Sequence, residues 1–133
     1  IENDRIRPIA SKNQFRYALA LIRKPPKKLS ENYLERRKEI SKTHTVVVVS
    51  NDINNQYSGT VTIVPITSKN LQKIYPFEVL LAKGTGNLPK NSKIKCDQIR
   101  TLDKTRIVKF IGALNKEIVK QIDTSIKIHL ALP

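Results

Sequence analysis

Cysteine occurs once in these 133 residues, at Cys96, so no disulfide can close within the chain. Histidine is almost as scarce. A metal site needs three or four clustered ligands, and His44, His129 and Cys96 have no such spacing, so neither a metal nor another cofactor is expected. No apolar run approaches the roughly 20 residues that cross a bilayer. The longest, Val46, Val47, Val48 and Val49, is strand-sized. No secretory signal or lipidation motif reads at the N-terminal end, and with a lone cysteine this points to a reducing cytoplasm and away from a membrane. No helix-turn-helix pattern or internal repeat appears, which leaves charge as the sole argument for a DNA-binding regulator.

Acidic residues are outnumbered, 11 against 25 Lys and Arg, and the net charge of +14 predicts a polyanionic partner, nucleic acid first. The length is that of a single domain with one buried core. Residues 1–13 are polar, broken by Pro8, and read as a loosely held arm. A first strand is expected over 15–22. Residues 23–45 form a basic insertion: Lys24, Pro25, Pro26, Lys27 and Lys28 cannot continue a strand, and Ser30 can cap a short helix reaching about Lys42.

The β-branched run 46–49 suits a strand buried on both faces. Asn51 and Asp52 end it, and Ser58-Gly59 marks a turn. Strand 60–66 contains Pro65, which has no N–H for a ladder, so an edge position or a bulge is expected there. Further strands read at 77–81, 93–97, 98–102 and 108–114, with the loop Gly84-Thr85-Gly86-Asn87-Leu88-Pro89 between the first two. After Asn115, a candidate N-cap, Ile118, Val119, Ile122, Ile126 and Leu130 form the apolar stripe of a terminal helix. Many short strands and one helix predict a mainly β (α+β) fold and a small barrel.

Several motifs fall together. Val46-Val47-Val48-Val49-Ser50-Asn51-Asp52 is followed by Val64-Pro65-Ile66-Thr67-Ser68, then Tyr75-Pro76-Phe77-Glu78-Val79, Leu88-Pro89-Lys90-Asn91-Ser92 and Lys95-Cys96-Asp97-Gln98-Ile99-Arg100-Thr101-Leu102-Asp103-Lys104. In this series the chain resembles the MazF/PemK (Kid) family of toxins from type II toxin–antitoxin systems, over about residues 46–132. Upstream the likeness is poor. The family's Arg-Gly strand and Glu-Gln loop are not matched, and Thr43-His44-Thr45 stands where an Arg-Pro pair is usual.

The resemblance implies an SH3-like β-barrel with a C-terminal helix, here with a short helix in the loop after strand 1. It also implies a homodimer that cleaves single-stranded RNA without a metal and is held by a MazE-like antitoxin. Thr67 matches the family's active-site threonine, Lys95 and Asp97 align with a segment carrying acid and base roles, and His44 replaces a catalytic arginine. Each has a plainer reading: Thr67 as a turn hydroxyl bonding its own backbone, Lys95 and Asp97 as a strand-edge ion pair.

Ser68 adjoins Thr67 and is grouped with the RNA contacts. Gln98 and Arg100 can read base edges or hold phosphate, or bridge strands. Asn51, Asp52 and Asn54 can contact bases, or simply start a loop. Lys27, Lys28, Arg36 and Arg37, near Tyr33, can track phosphates, or form a solvated face. Two functions follow from these alternatives. One is an endoribonuclease toxin attacking through the ribose 2′-hydroxyl, attenuated where His44 replaces arginine. The other is a catalytically silent module that keeps RNA or antitoxin binding.

Overall fold

The computed structural model describes residues 14–23 and 43–133. The expected arm over 1–13, the helix begun by Ser30 and the cations Lys27, Lys28, Arg36 and Arg37 lie outside the described residues.

Seven strands are described: β1 (Ala18–Arg23), β2 (Thr43–Val48), β3 (Thr60–Thr67), β4 (Glu78–Leu81), β5 (Ser92–Lys95), β6 (Arg100–Asp103) and β7 (Ile107–Ala113). All pairings are antiparallel, along the path β4-β5-β3-β2-β1-β7 with β6 attached to β3. Among the described residues the path does not close on itself: β4 and β7 end it, so in place of the expected closed barrel these strands form an open sheet. Two helices complete the described chain, α1 (Asp52–Tyr57) and α2 (Lys116–Leu130).

The run 46–49 is buried throughout, and its alternation divides the core. Val47 and Val49 join Leu19, Val64, Val79, Ile94 and Cys96 on the face covered by α2, whose Ile122 is fully buried among them. Val46 and Val48 point the other way, into a second cluster with Phe15, Ala20, Val61, Ile63 and Leu102. Burying both faces of β2 requires this uninterrupted valine run, because a polar residue at either parity would lose its water without a partner.

Pro65 corrects one expectation. β3 is not an edge strand: it pairs with β2 on one side and with both β6 and β5 on the other. The proline is accommodated by a gap, since β6 pairs through Ile63 and β5 begins at Ile66, leaving Val64 and Pro65 unpaired on that side. The expected helix after Asn115 is present, with Asn115 Oδ1 accepting from Ile118 N at 3.0 Å. Its buried stripe ends before Leu130, which is exposed beside the left-handed Ala131 that terminates the helix.

The first strand begins at Ala18 rather than Phe15, because Tyr17 takes a left-handed turn (φ 63°). From that turn Tyr17 donates its hydroxyl to Asp123 on α2. Burial, then this bond, push the phenol up to about 12 against the opposing charge of Arg16. Close packing beside this same end of β1 depends on glycine. A Cβ on Gly112 would lie 2.4 Å from Gly86 O, and one on Gly86 2.3 Å from Leu19 Cδ1.

Asn51 and Asp52 begin a helix where the sequence predicts only the end of a strand. Asn51 Oδ1 accepts from Asn54 N at 2.8 Å and caps α1. Asn55, fully buried, then ties α1 to the sheet: its amide donates to Ser50 O at 2.8 Å, its Oδ1 accepts from Ser50 Oγ at 2.5 Å, and Ser50 Oγ accepts from Thr62 N at 3.0 Å.

Candidate functional site

Strand parity decides which side chains share a surface. Ile66, Val79, Ile94 and Val47 pack beneath α2, so Thr67, Glu78, Lys93, Lys95 and His44, each of opposite parity, project from the other face. Register brings them to one end of the sheet. Thr67 pairs with Lys93, and Glu78 with Lys95. The β2–β3 ladder ends at Val46 opposite Pro65, and His44 and Thr67 lie two residues beyond that end on β2 and β3. His44 is exposed, opposite Ile22 in β1.

Thr67 is partly buried at the end of β3, and its Oγ1 accepts the backbone N–H of Lys69 at 3.1 Å, the turn role foreseen as its plainer reading. The bond uses one lone pair and leaves the hydroxyl proton free to donate. Ser68 is exposed beside it.

Lys95 has a different carboxylate from the one the sequence suggests. Its ammonium lies 3.7 Å from Glu78 Oε2 rather than pairing with Asp97. Asp97 follows β5 with its Oδ1 buried and unpartnered among the described residues. Gln98 closes the turn, donating its backbone N–H to Lys95 O at 3.0 Å. Arg100 is exposed on β6 opposite Ile63. Cys96, fully buried between Lys95 and Asp97, is a core residue, and burial with the neighbouring carboxylates pushes its thiol up to about 12.

Two residues of this surface have no signal in the sequence. Glu78 and Lys93 form an ion pair of 3.1 Å with side chains 2% and 4% exposed. Lys93 Nζ also donates to Asn70 O at 3.0 Å and Lys73 O at 3.3 Å, so three donors meet three acceptors. Glu78 Oε1 further accepts from Tyr75 N at 3.0 Å. Burial raises the Glu78 pKa, but that bond and the two lysines outweigh it and hold the carboxyl below its ordinary value. The strand pattern alone places both residues on a solvated face, because it carries no trace of the segment between β3 and β4 that folds over them.

Asn51, Asp52 and Asn54 are not brought to Thr67. Asn54 Nδ2 donates to Thr60 O at 3.1 Å, at the opposite end of β3. Eight residues of strand separate the two ends, roughly 23 Å at about 3.3 Å per residue. All three side chains already serve α1 and its surroundings: Asn51 as cap, Asn54 on Thr60 and Asp52 Oδ1 accepting from Arg16 N at 3.2 Å. Among the described residues no three His, Cys, Asp or Glu side chains converge. No described helix is long and apolar enough to cross a membrane.

A basic chain that sets the Thr67 hydroxyl on the strand paired to Lys93, two residues from the ion-paired Lys95, defines a small, strongly basic antiparallel β-sheet protein. The family model of the PemK-like, MazF-like toxin of type II toxin-antitoxin systems matches residues 30–130, and the chain belongs to that family. It is 37% identical over 102 residues to Endoribonuclease MazF9 of Mycobacterium tuberculosis, covering 73% of this chain and 86% of that protein. To Endoribonuclease MazF of Staphylococcus saprophyticus it is 37% identical over 87 residues, 65% of this chain and 72% of the relative. Among solved structures, an endoribonuclease in complex with its cognate antitoxin from a mycobacterial species superposes with a TM-score of 0.66 at 18% identity, over 90% of this chain and 96% of the other. A MazE-MazF crystal structure from Deinococcus radiodurans gives 0.68 at 17%, over 91% and 99%. At such identities the structures share the fold, here the antiparallel sheet with a C-terminal helix.

Proposed function

We propose that this chain is the toxin of a toxin–antitoxin pair and acts as an endoribonuclease on single-stranded RNA. The observation that carries the reading is the 37% identity over 102 residues to a relative named as an endoribonuclease. The geometry supports a division of labour. Thr67 donates its hydroxyl to a phosphate oxygen or to the scissile ribose. Lys95, oriented by Glu78, balances charge on the phosphorane, and Asp97, only partly buried, takes the 2′-hydroxyl proton. The 2′-oxygen bonds to phosphorus as the bond to O5′ breaks and O5′ takes a proton from water, giving a 2′,3′-cyclic phosphate and a 5′-hydroxyl. His44, beyond the end of the β2–β3 ladder on the side of Thr67, stands as a second cation toward the same phosphate when protonated.

Ser68, Gln98 and Arg100 extend this surface toward the flanking nucleotides. Asn51, Asp52 and Asn54 meet RNA at the far end of β3. Residues 1–133 are read as one MazF/PemK-like domain, in which 1–13 is an arm and the basic segment 23–45 lends Lys27, Lys28, Arg36 and Arg37 to the RNA backbone. A homodimer, a MazE-like antitoxin covering the RNA surface and a cytoplasmic site of action complete the reading. No metal enters it.

A second reading, a binding module with weakened or no catalysis, is favoured by one observation: Thr67 Oγ1 and Lys95 Nζ already have partners within the chain. Incubation of the purified chain with a long single-stranded RNA in EDTA, with mass spectrometry of the fragment ends, separates the two. Discrete fragments ending in cyclic phosphate support the enzyme. RNA bound but left intact supports the module.

A further inference from the structure

The buried pair of Lys93 and Glu78 is costly to maintain. Two charges have left water, and only complete hydrogen bonding makes that tolerable. A strand pair needing only stability would do as well with two apolar residues. The pair instead reaches outward from the ladder. Lys93 is the backbone partner of Thr67 in β5, and its side chain grips Asn70 and Lys73 through their carbonyls. Glu78 grips the same segment farther on, at Tyr75 N, and its second oxygen faces Lys95. Two buried side chains thus hold the start, middle and end of the segment that leaves Thr67, and one of them also sets the Lys95 ammonium.

We propose that Lys93 and Glu78 are positioning residues for RNA cleavage, fixing the Thr67 hydroxyl and the Lys95 ammonium relative to one another through the segment between β3 and β4. The inference deepens the endoribonuclease reading and rests on it. Neither residue touches RNA. Their effect passes through the alignment of the Thr67 hydroxyl with the Lys95 ammonium, so it shrinks when Thr67 is already disabled.

The test uses Lys93→Met with Glu78→Gln in one chain, which removes both charges together and leaves none buried alone. Glu78→Gln alone is the second variant. It keeps the size and the acceptor for Tyr75 N while releasing Lys95. Melting curves establish folding, and cleavage of a defined single-stranded RNA is measured for each protein with and without Thr67→Ala. The folded double variant is expected to lose at least 10-fold in kcat with KM changed less than threefold. The single variant is expected to lose at least threefold, and both losses should shrink below twofold in the Thr67→Ala background. Wild-type kcat in a folded double variant would overturn the proposal, as would an equal loss in both backgrounds. If the double variant does not fold, wild-type kcat in Glu78→Gln overturns it alone. If the unaltered chain cleaves no RNA, the endoribonuclease reading has failed. Amide exchange over residues 69–77 then tests the anchoring separately, in the double variant or, where that does not fold, in Glu78→Gln. Exchange at least 10-fold faster than in the unaltered chain is expected, and equal rates refute it.

Discussion

Replacing Asn55 by alanine should cost far more than its place in a short polar helix suggests. The side chain is fully buried and makes two short bonds with Ser50, at 2.5 and 2.8 Å, and a longer one from Asn54 Nδ2 at 3.4 Å. The two short bonds contribute about 1 kcal/mol each, and stranding the Ser50 carbonyl adds about 1 more. The total is about 3 kcal/mol. Unfolding entropy near 2.1 cal/mol/K per residue makes this a fall in Tm of about 10 °C for a domain of this size. Thermal and urea denaturation followed by circular dichroism would measure it, with an unchanged m-value marking a change in stability alone. Asn54→Ala, which removes the 3.1 Å bond to Thr60 O and the weak one to Asn55, should cost only about 1 kcal/mol. A loss below about 0.5 kcal/mol for Asn55→Ala would refute the reasoning and leave the attachment of α1 without its stated cause.

Further expectations follow from the same geometry. Because Glu78 is held below its ordinary pKa, its contribution to stability is present above about pH 4.5 and lost as pH falls through the folded value. Acid denaturation should therefore be steeper in the unaltered chain than in Glu78→Gln, and parallel curves would count against the pair. Gly112→Ala forces a Cβ to within 2.4 Å of a backbone oxygen and should destabilise by about 1–3 kcal/mol in urea melts, whereas no loss would show that β7 yields freely. His44→Arg should raise the cleavage rate, since a guanidinium can fork two hydrogen bonds onto a phosphate where an imidazole offers one. Identical single-turnover rates would remove His44 from the phosphate.

Patterns that depend on local periodicity were legible in the sequence. The valine run gave the buried half of β2, whose first half, Thr43–Thr45, lies in the stretch read as insertion and pairs with β1 up to Arg23, and Asn115 with the apolar stripe gave α2. Pro65 was legible as a missing donor but not as the gap between β6 and β5, since a residue at a branch point reads like one at an edge. α1 was missed because Asp52–Tyr57 has no apolar stripe: its one buried side chain is the amide of Asn55, and Ile53 and Tyr57 face solvent at 73% and 79% exposure. At the candidate site, the motif brought out Thr67, Lys95 and Asp97, and His44 stands two residues beyond the end of the β2–β3 ladder, on the side of Thr67. The Lys93–Glu78 pair stayed hidden because its burial comes from a distant segment, through contacts to the carbonyls of Asn70 and Lys73 that no side-chain pattern encodes.

The central claim is that Thr67 and Lys95 make this sheet end a site of RNA cleavage, and single-turnover cutting of a defined single-stranded RNA in EDTA tests it most directly. The unaltered chain should produce fragments with cyclic phosphate ends. Thr67→Ala and Lys95→Met should each slow cutting at least 10-fold, the equivalent of about 1.4 kcal/mol or more of transition-state stabilisation, with melting temperatures little changed. Cutting at the unaltered rate by both folded variants would contradict the account and place the chemistry elsewhere on the molecule.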